Sequence, residues 1–274
     1  MTTVGAIFTP QNPPGLAVEA ARAADAAGLP ELWIFEDCFA GGGIATAAAM
    51  LGATKRLRIG IGLLPVPLRN AALTAMELSA IAGMFPGRLI AGLGHGIQEW
   101  MGQAGARVSS PVTLLREYLT TVRDLLAGEE VTTSGRYVTL DRVRLNWPPA
   151  ISPPLYSGGF GPNTVRLCGE IADGTILARD MSPARLREMI ELVEEGRGRA
   201  DASRPHQVVV FLTARRHGAD DDLSVAGSAE QVAEGLQRWV DAGADSLQLV
   251  PGDDVQDFAE YLAFLGQEVA PLLR

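Results

Sequence analysis

Eight short apolar runs, each followed by a stretch with helical spacing, most limit what this chain can fold into. Val4–Phe8 leads Pro14–Gly28, Leu32–Phe35 leads Gly43–Ala53, Leu57–Leu64 leads Asn70–Met84, and Leu89–Leu93 leads Pro111–Ala127. Leu155–Ser157 leads Pro162–Ile171, Thr175–Leu177 leads Pro183–Glu195, Val208–Thr213 leads Ser228–Ala242, and Ser246–Val250 leads Val255–Leu265. Gly28, Pro86-Gly87 and Gly128 stand where helices stop, because glycine takes the left-handed backbone that ends a helix. Strands alternating with helices of roughly 10–15 residues form parallel βαβ units. Eight such units in 274 residues predict a closed (β/α)8 TIM barrel, one domain over residues 1–274, since such barrels take about 250 residues. An open doubly wound sheet is the other arrangement this alternation allows. It ordinarily carries a Gly-rich turn after its first strand. Here Thr9-Pro-Gln-Asn-Pro-Pro-Gly15 follows, proline-rich and poor in free amides. One segment breaks the period: Val131–Leu145 alternates about Ser134-Gly135 and predicts a short β-hairpin inserted between the fourth helix and the fifth strand.

Composition then removes several function classes. Lys plus Arg is 23 against 32 Asp plus Glu, a net charge of −9 with no basic run. Nucleic acid and anionic membrane are poor partners for such a chain. No apolar run reaches the ~18 residues of a transmembrane helix. Met1 to Phe8 has no basic segment before its apolar stretch and reads as a first strand, not a signal peptide. Cys38 and Cys168 are too few for a disulfide framework, so a reduced, cytoplasmic chain is expected. Lys55 is the one lysine beside 22 arginines. Schiff-base and pyridoxal-phosphate enzymes need a lysine amine. Lys55 precedes the third strand, which puts it on the bottom face of a barrel, away from the chemistry. His95, His206 and His217 lack zinc-ligand spacing, so no metal site is expected.

Barrel chemistry sits at the C-terminal ends of the strands, and that rule selects the candidates. Glu36 and Asp37 follow the second strand and suit proton transfer or a hydrogen bond to a cofactor. The other reading is charge at the N-terminus of the next helix, where a carboxylate is favourable. The fourth strand ends in Gly92-Leu-Gly-His-Gly96; His95 there can polarise or protonate a substrate, contact a cofactor, or simply brace the loop. After the fifth strand, Gly158, Gly159 and Gly161 leave backbone amides open just before a helix that starts at Pro162 or Asn163. A helix start with free amides binds phosphate; the same glycines also serve a plain tight turn. Cys38 has no base in sequence reach and reads as structural, as does Cys168. Trp33 reads as packing, Trp100 as a loop residue placed to cover a ligand, and Asp253-Asp254 as a solvated helix start.

Several blocks resemble the luciferase-like monooxygenase superfamily. They are Leu32-Trp-Ile-Phe-Glu-Asp37, Gly60-Ile-Gly-Leu-Leu-Pro-Val-Pro-Leu-Arg-Asn70, Pro86-Gly-Arg-Leu-Ile-Ala-Gly-Leu-Gly-His-Gly96 and Leu155-Tyr-Ser-Gly-Gly-Phe-Gly-Pro-Asn163. Gly169-Glu-Ile-Ala-Asp-Gly-Thr-Ile-Leu177, Gly227-Ser-Ala-Glu-Gln-Val-Ala-Glu and Asp241-Ala-Gly-Ala-Asp-Ser-Leu-Gln-Leu-Val-Pro251 complete the order. They look closest to the branch that uses the deazaflavin coenzyme F420, similar to methylenetetrahydromethanopterin reductase. The resemblance implies a bound flavin or deazaflavin. Its ring would meet Ile61, Gly62 and Leu63, where the family often has a non-prolyl cis peptide. Gly94 and Gly96 would border it, and its phosphate would lie at Gly158, Gly159, Phe160, Gly161, Asn163 and Thr164. Glu36, Asp37 and His95 would then be the catalytic groups beside ring or substrate. Some deazaflavin enzymes have His where Asp37 stands and Glu where Ile97 stands, so their acid–base mechanism does not transfer. Arg69 and Arg179 are candidates to meet an anionic cofactor tail. Ala214 to Gly227 is too short for an extra domain, which leaves the pocket open. The implied activity is hydride transfer between F420 and a small organic substrate. The alternative is an FMN-dependent monooxygenase using O2, and a third reading is a non-catalytic flavin-binding accessory protein. A phosphate-sugar lyase is weakened by the missing lysine and metal ligands. The family habit implies a homodimer, with the small-residue helix Gly41–Ala53 suited to its interface.

Overall fold

The apolar runs become strands covered on both faces in the computed structural model, which describes residues 2–178, 180–199 and 204–273. In chain order the first half comprises β1 (Thr3–Phe8), α1 (Ala17–Ala26), β2 (Glu31–Ile34), α2 (Gly43–Gly52), β3 (Arg58–Pro65), α3 (Ala71–Met84), β4 (Leu89–Gly94), α4 (Gln98–Gln103) and α5 (Pro111–Leu126). Then come β5 (Val131–Ser134), β6 (Thr139–Val143), β7 (Leu155–Gly158), α6 (Pro162–Ile171), β8 (Gly174–Leu177), α7 (Pro183–Arg197), β9 (Gln207–Arg215), β10 (Ser224–Ala226), α8 (Ala229–Val240), β11 (Ser246–Pro251) and α9 (Phe258–Ala263).

Eight strands run in the order β9-β11-β1-β2-β3-β4-β7-β8, all pairs parallel, and β8 pairs back to β9. The ring is the expected closed barrel. Every residue of β2, β4, β7 and β8 is buried, as parallel strands between helices and a barrel interior must be. β5 and β6 form the expected antiparallel hairpin outside the ring. Its turn is held by Glu117 of α5, whose carboxylate accepts from the amides of Arg136, Tyr137 and Val138.

The interior of the barrel is an aromatic stack. Trp33, Tyr156 and Phe211 cluster with Ile7, Ile90, Ile176 and Val209. Below it, Glu31 accepts from Trp33 Nε1 at 2.9 Å, Gln248 Nε2 at 3.0 Å and Arg58 Nη1 at 2.9 Å. Lys55 lies at that lower end, its amide donating to Asp25 in the turn before β3.

The structure adds the short α4 and β10 and corrects the readings of the last helix and of Asp254. The last helix does not begin at Val255. Val255 donates to Gly252 O in a turn, and Asp257 caps α9 by accepting from the amides of Ala259 and Glu260. The helical path then continues past Leu265 as a π turn over Phe264–Val269. Asp254 is not a solvated helix start: its Oδ2 accepts from the amides of Arg216 at 2.8 Å and His217 at 3.1 Å, joining the loops after β9 and β11.

Candidate active site

The strand C-termini open a cleft of about 330 Å³. Phe35, just past β2, and Phe211 of β9 make its floor, ring centroids 5.5 Å apart and tilted by 37°. Both positions follow from period 2: Trp33 and Phe35 point inward on one strand, Val209 and Phe211 on another. Leu63 and Ile176 complete the apolar wall.

The third strand shifts register between Ile61 and Leu64, and the Gly62–Leu63 peptide is cis, as the resemblance implies. A Cβ on Gly62 would stand 2.8 Å from Phe211 Cζ, so only glycine lets the strand pass over the floor. Gly62 and Leu63 line the cleft, whereas Ile61 does not. Its side chain is fully buried toward Gly43 of α2. Gly94 also stays out of the lining and makes room for Leu63; a Cβ there would be 2.6 Å from Leu63 Cδ1. Gly96 borders the cleft with φ +69°.

The two carboxylates have different surroundings. Glu36 Oε2 accepts from the Gly43 amide at 2.5 Å, at the first turn of α2, and Oε1 is paired with Arg69. Glu36 thus fills the helix-start role that its position allows. Arg69 is committed to Glu36 and faces Glu77 at 3.9 Å, so it is not a free cation for a cofactor tail. Arg179 lies outside the described residues. Asp37 is half-buried in the cleft wall, and no described group bonds to its carboxylate. Burial pushes that carboxyl above its ordinary range.

His95 Nδ1 is 3.0 Å from Gly96 O. A carbonyl only accepts, so Nδ1 is the donor in this contact, and the tautomer that fits it leaves Nε2 as the acceptor. Nε2 lies 3.4 Å from Thr164 Oγ1, which ties the fourth-strand loop to the start of α6. Gly158, Gly159 and Phe160 line the cleft; Gly161 and Asn163 are exposed beyond it and Thr164 is buried behind it. A Cβ on Gly158 would run into the Ile176 carbonyl, and one on Gly159 would stand 2.7 Å from Thr164 Cγ2. The amides of Gly161 and Asn163 find no acceptor among the described residues. No acidic side chain sits in the first turn of α6.

Trp100 borders the mouth from α4, a helix of six residues. Sequence reasoning named the residue but not the helix, and it missed Phe35, Phe211, Ile176 and Ala178.

A family model described as luciferase-like monooxygenase matches residues 2–222. The chain is 28% identical over 230 residues to a 5,10-methylenetetrahydromethanopterin reductase of Methanolobus tindarius, covering 84% of this chain and 69% of the relative. It is 27% identical over 287 residues to an F420-dependent glucose-6-phosphate dehydrogenase of Nakamurella multipartita, covering 85% and 84%. Among solved structures, an F420-dependent secondary alcohol dehydrogenase in complex with an F420–acetone adduct superposes with TM-score 0.88 at 22% identity, covering 100% of this chain and 99% of that one. The FMN-bound oxygenating constituent of the 3,6-diketocamphane monooxygenase of Pseudomonas putida superposes with TM-score 0.82 at 18% identity, covering 100% and 99%. With that family model matching residues 2–222, the chain belongs to the luciferase-like monooxygenase family.

Proposed function

We propose that the protein transfers a hydride between coenzyme F420 and a small organic substrate. One observation carries the reading: a flat apolar slot, a glycine cradle at a helix start and an unpaired half-buried carboxyl share one cleft. The residues fit the cofactor. Leu63 and the Phe35–Phe211 floor bound a slot for a planar ring. The glycines at 158 and 159 keep the backbone bare, and the open amides of Gly161 and Asn163 suit a phosphate. When bound, F420 supplies a ring carbon that gives or accepts the hydride. Asp37 takes the hydroxyl proton of an alcohol as its carbon loses the hydride, or returns it to a carbonyl in the reverse direction. His95 offers Nε2 as an acceptor beside it, and Glu36 holds Arg69 and the start of α2 in place.

An FMN-dependent oxygenation remains the second reading, because the FMN-bound neighbour shares the fold and the same cradle serves either phosphate. A paired fluorescence titration separates them. F420 is expected to bind at least about tenfold more tightly than FMN, a difference of ~1.4 kcal/mol. Preference for FMN moves the reading to oxygen chemistry, and binding of neither removes both. Gly159→Val is expected to weaken F420 binding by about tenfold or more, since its side chain would displace Thr164 and His95.

The reading includes a homodimer in a reducing, cytoplasmic compartment, consistent with the free thiols Cys38 and Cys168. No described helix is long and apolar enough to cross a membrane. α2 carries no charged residue, and the one on α3, Glu77, faces Arg69. The outer side of α3 exposes Leu73, Met76 and Met84 beside Trp147, which is 87% exposed. A groove of about 630 Å³ runs between α3 and the segment 143–150 that carries Trp147. Knob and groove on one face suit a two-fold contact with a second copy. Met76→Arg is expected to turn a dimer into a monomer in sedimentation; an unchanged dimer would put the contact elsewhere.

A further inference from the structure

His95 stands between the cleft and the start of α6. It lines the cleft together with Gly158 and Gly159, and its Nε2 is 3.4 Å from Oγ1 of Thr164, in the first turn of that helix. A Cβ on Gly159 would also come within 3.4 Å of Nε2. This edge of the ring therefore looks over the bare backbone of the glycine cradle, whose amides at Gly161 and Asn163 are open among the described residues. The opposite edge fixes the orientation. Gly96, which accepts from Nδ1 at 3.0 Å, is itself seated on the fully buried Met101 of α4, where a Cβ would stand 2.9 Å from Sδ. Gln98 Nε2 donates to His95 O at 3.1 Å and steadies the same loop.

An imidazole held in this way can change its charge without moving. Nδ1 donates to Gly96 O in the neutral and in the protonated ring alike, so a proton gained at Nε2 calls for no turn of the side chain. A neutral Nε2 only accepts, and so does a phosphate oxygen. The two meet favourably once Nε2 carries a proton, as a charge-assisted hydrogen bond. Imidazole is the side chain that makes this change between about pH 5 and 8. The charged groups on the neighbouring elements are known by position. Glu36 and Asp37 share the cleft, and Glu36 is matched by Arg69. Glu99 of α4 and Asp180 after β8 are exposed. Arg166 of α6 is paired with Glu195, and Arg107 is turned to Gln98 O. Arg179 lies outside the described residues, and the experiment below separates its charge from that of His95.

We infer that His95 is a binding residue for the cofactor's phosphate: it takes up one proton as the phosphate enters the cradle, and Nε2 turns from an acceptor at Thr164 into a donor at the anion. Cofactor affinity is thereby tied to pH. That the phosphate belongs to F420 rests on the hydride-transfer reading; the proton-linked grip on a phosphate does not.

Fluorescence titration of the full chain tests this with two probes, F420 and the same deazaflavin without its phosphate and tail, at about pH 6 and about pH 8. Titration of the ring is common to both probes, so the ratio of their affinities isolates the phosphate arm. The ratio is expected to fall about tenfold from the lower to the higher pH. His95→Gln keeps a hydrogen-bonding amide without a titrating charge. It is expected to lower the ratio about tenfold at the lower pH, to make it equal at both, and to leave the phosphate-free probe unchanged. Proton NMR of the unmodified chain gives a second readout that does not depend on a variant. The His95 Cε1 proton is expected to shift toward its protonated position when F420 is added at neutral pH, and to stay in place with the phosphate-free probe. A ratio that is large but equal at both pH values overturns the inference, because it assigns the charge to a guanidinium, which does not titrate there, with Arg179 the first to substitute. An unmoved His95 signal overturns it as well. Failure of both probes to bind overturns the F420 reading instead, and the His95 signal titrated with inorganic phosphate then decides the inference by the same criterion.

Discussion

Asp37→Asn is expected to lower kcat by about 10²–10⁴-fold, the range that positioned acid–base groups contribute, with F420 affinity unchanged. The amide keeps the shape of the carboxyl but can neither take nor give the proton. Asp37 is the carboxyl free for that work, because both oxygens of Glu36 are held by Arg69 and the Gly43 amide. Glu36→Gln is accordingly expected to show as lost stability more than as lost proton transfer. The pH profile carries the sign. Burial raises the Asp37 carboxyl. As a base it is active only when ionised, so kcat rises as pH rises through the raised value. As an acid it is active only when protonated, so kcat falls over the same interval. Asp37→Asn is expected to flatten whichever limb the unmodified enzyme shows, which also reveals the direction of hydride flow the site favours. Retention of both rate and limb in the variant would transfer the proton to another group, with His95 the next candidate.

How much of this was legible in the chain depended on the range of each interaction. The repeat was legible because strand and helix periods are local. Pro162–Ile171 matches its helix at both ends, since proline at the first helical position marks the start. The hairpin was legible from alternation about Ser134-Gly135. α4 and β10, with six and three residues, are too short to show a period. The start of the last helix was misplaced because Val255 extends the apolar pattern, whereas the capping carboxylate is Asp257. In the site, the cradle glycines and His95 stood out, but their geometry did not. Nothing local distinguishes Glu36 from Asp37. The difference is made by Arg69, 33 positions away, and the same pairing removes Arg69 from the cofactor tail. Phe35 and Phe211 were legible in principle from inward alternation, but only once closure of the barrel had set which side is inside.

Trp33→Ala is expected to cost about 3–5 kcal/mol, measured as a fall in the urea midpoint. Such a loss is a large share of the ~5–15 kcal/mol that folded proteins hold in reserve. The Trp33 ring is fully buried between Tyr156 and Phe211, at centroid distances of 6.2 and 5.5 Å. Its Nε1 is one of the donors to the buried Glu31 carboxylate, so the truncation both opens a cavity and leaves that carboxylate short of a partner. The ring fits because the neighbouring strand carries Gly60. A Cβ there would fall on the indole, 2.6 Å from Cε3. Gly60→Ala alone is therefore expected to cost about 1–3 kcal/mol through overpacking. The pair should not add. In the Trp33→Ala background the space is vacant, the new methyl group partly fills it, and Gly60→Ala should become neutral or stabilising. A coupling of about 0.5–3 kcal/mol in the double-mutant cycle is the expected signature; simple additivity would mean that the glycine serves the backbone and not the ring. The effect also reaches the cleft. Phe211 rests on Trp33 and carries Phe35 above it. Trp33→Ala is thus expected to weaken F420 binding even under conditions where the variant remains folded, because the floor of the slot loses its support from below.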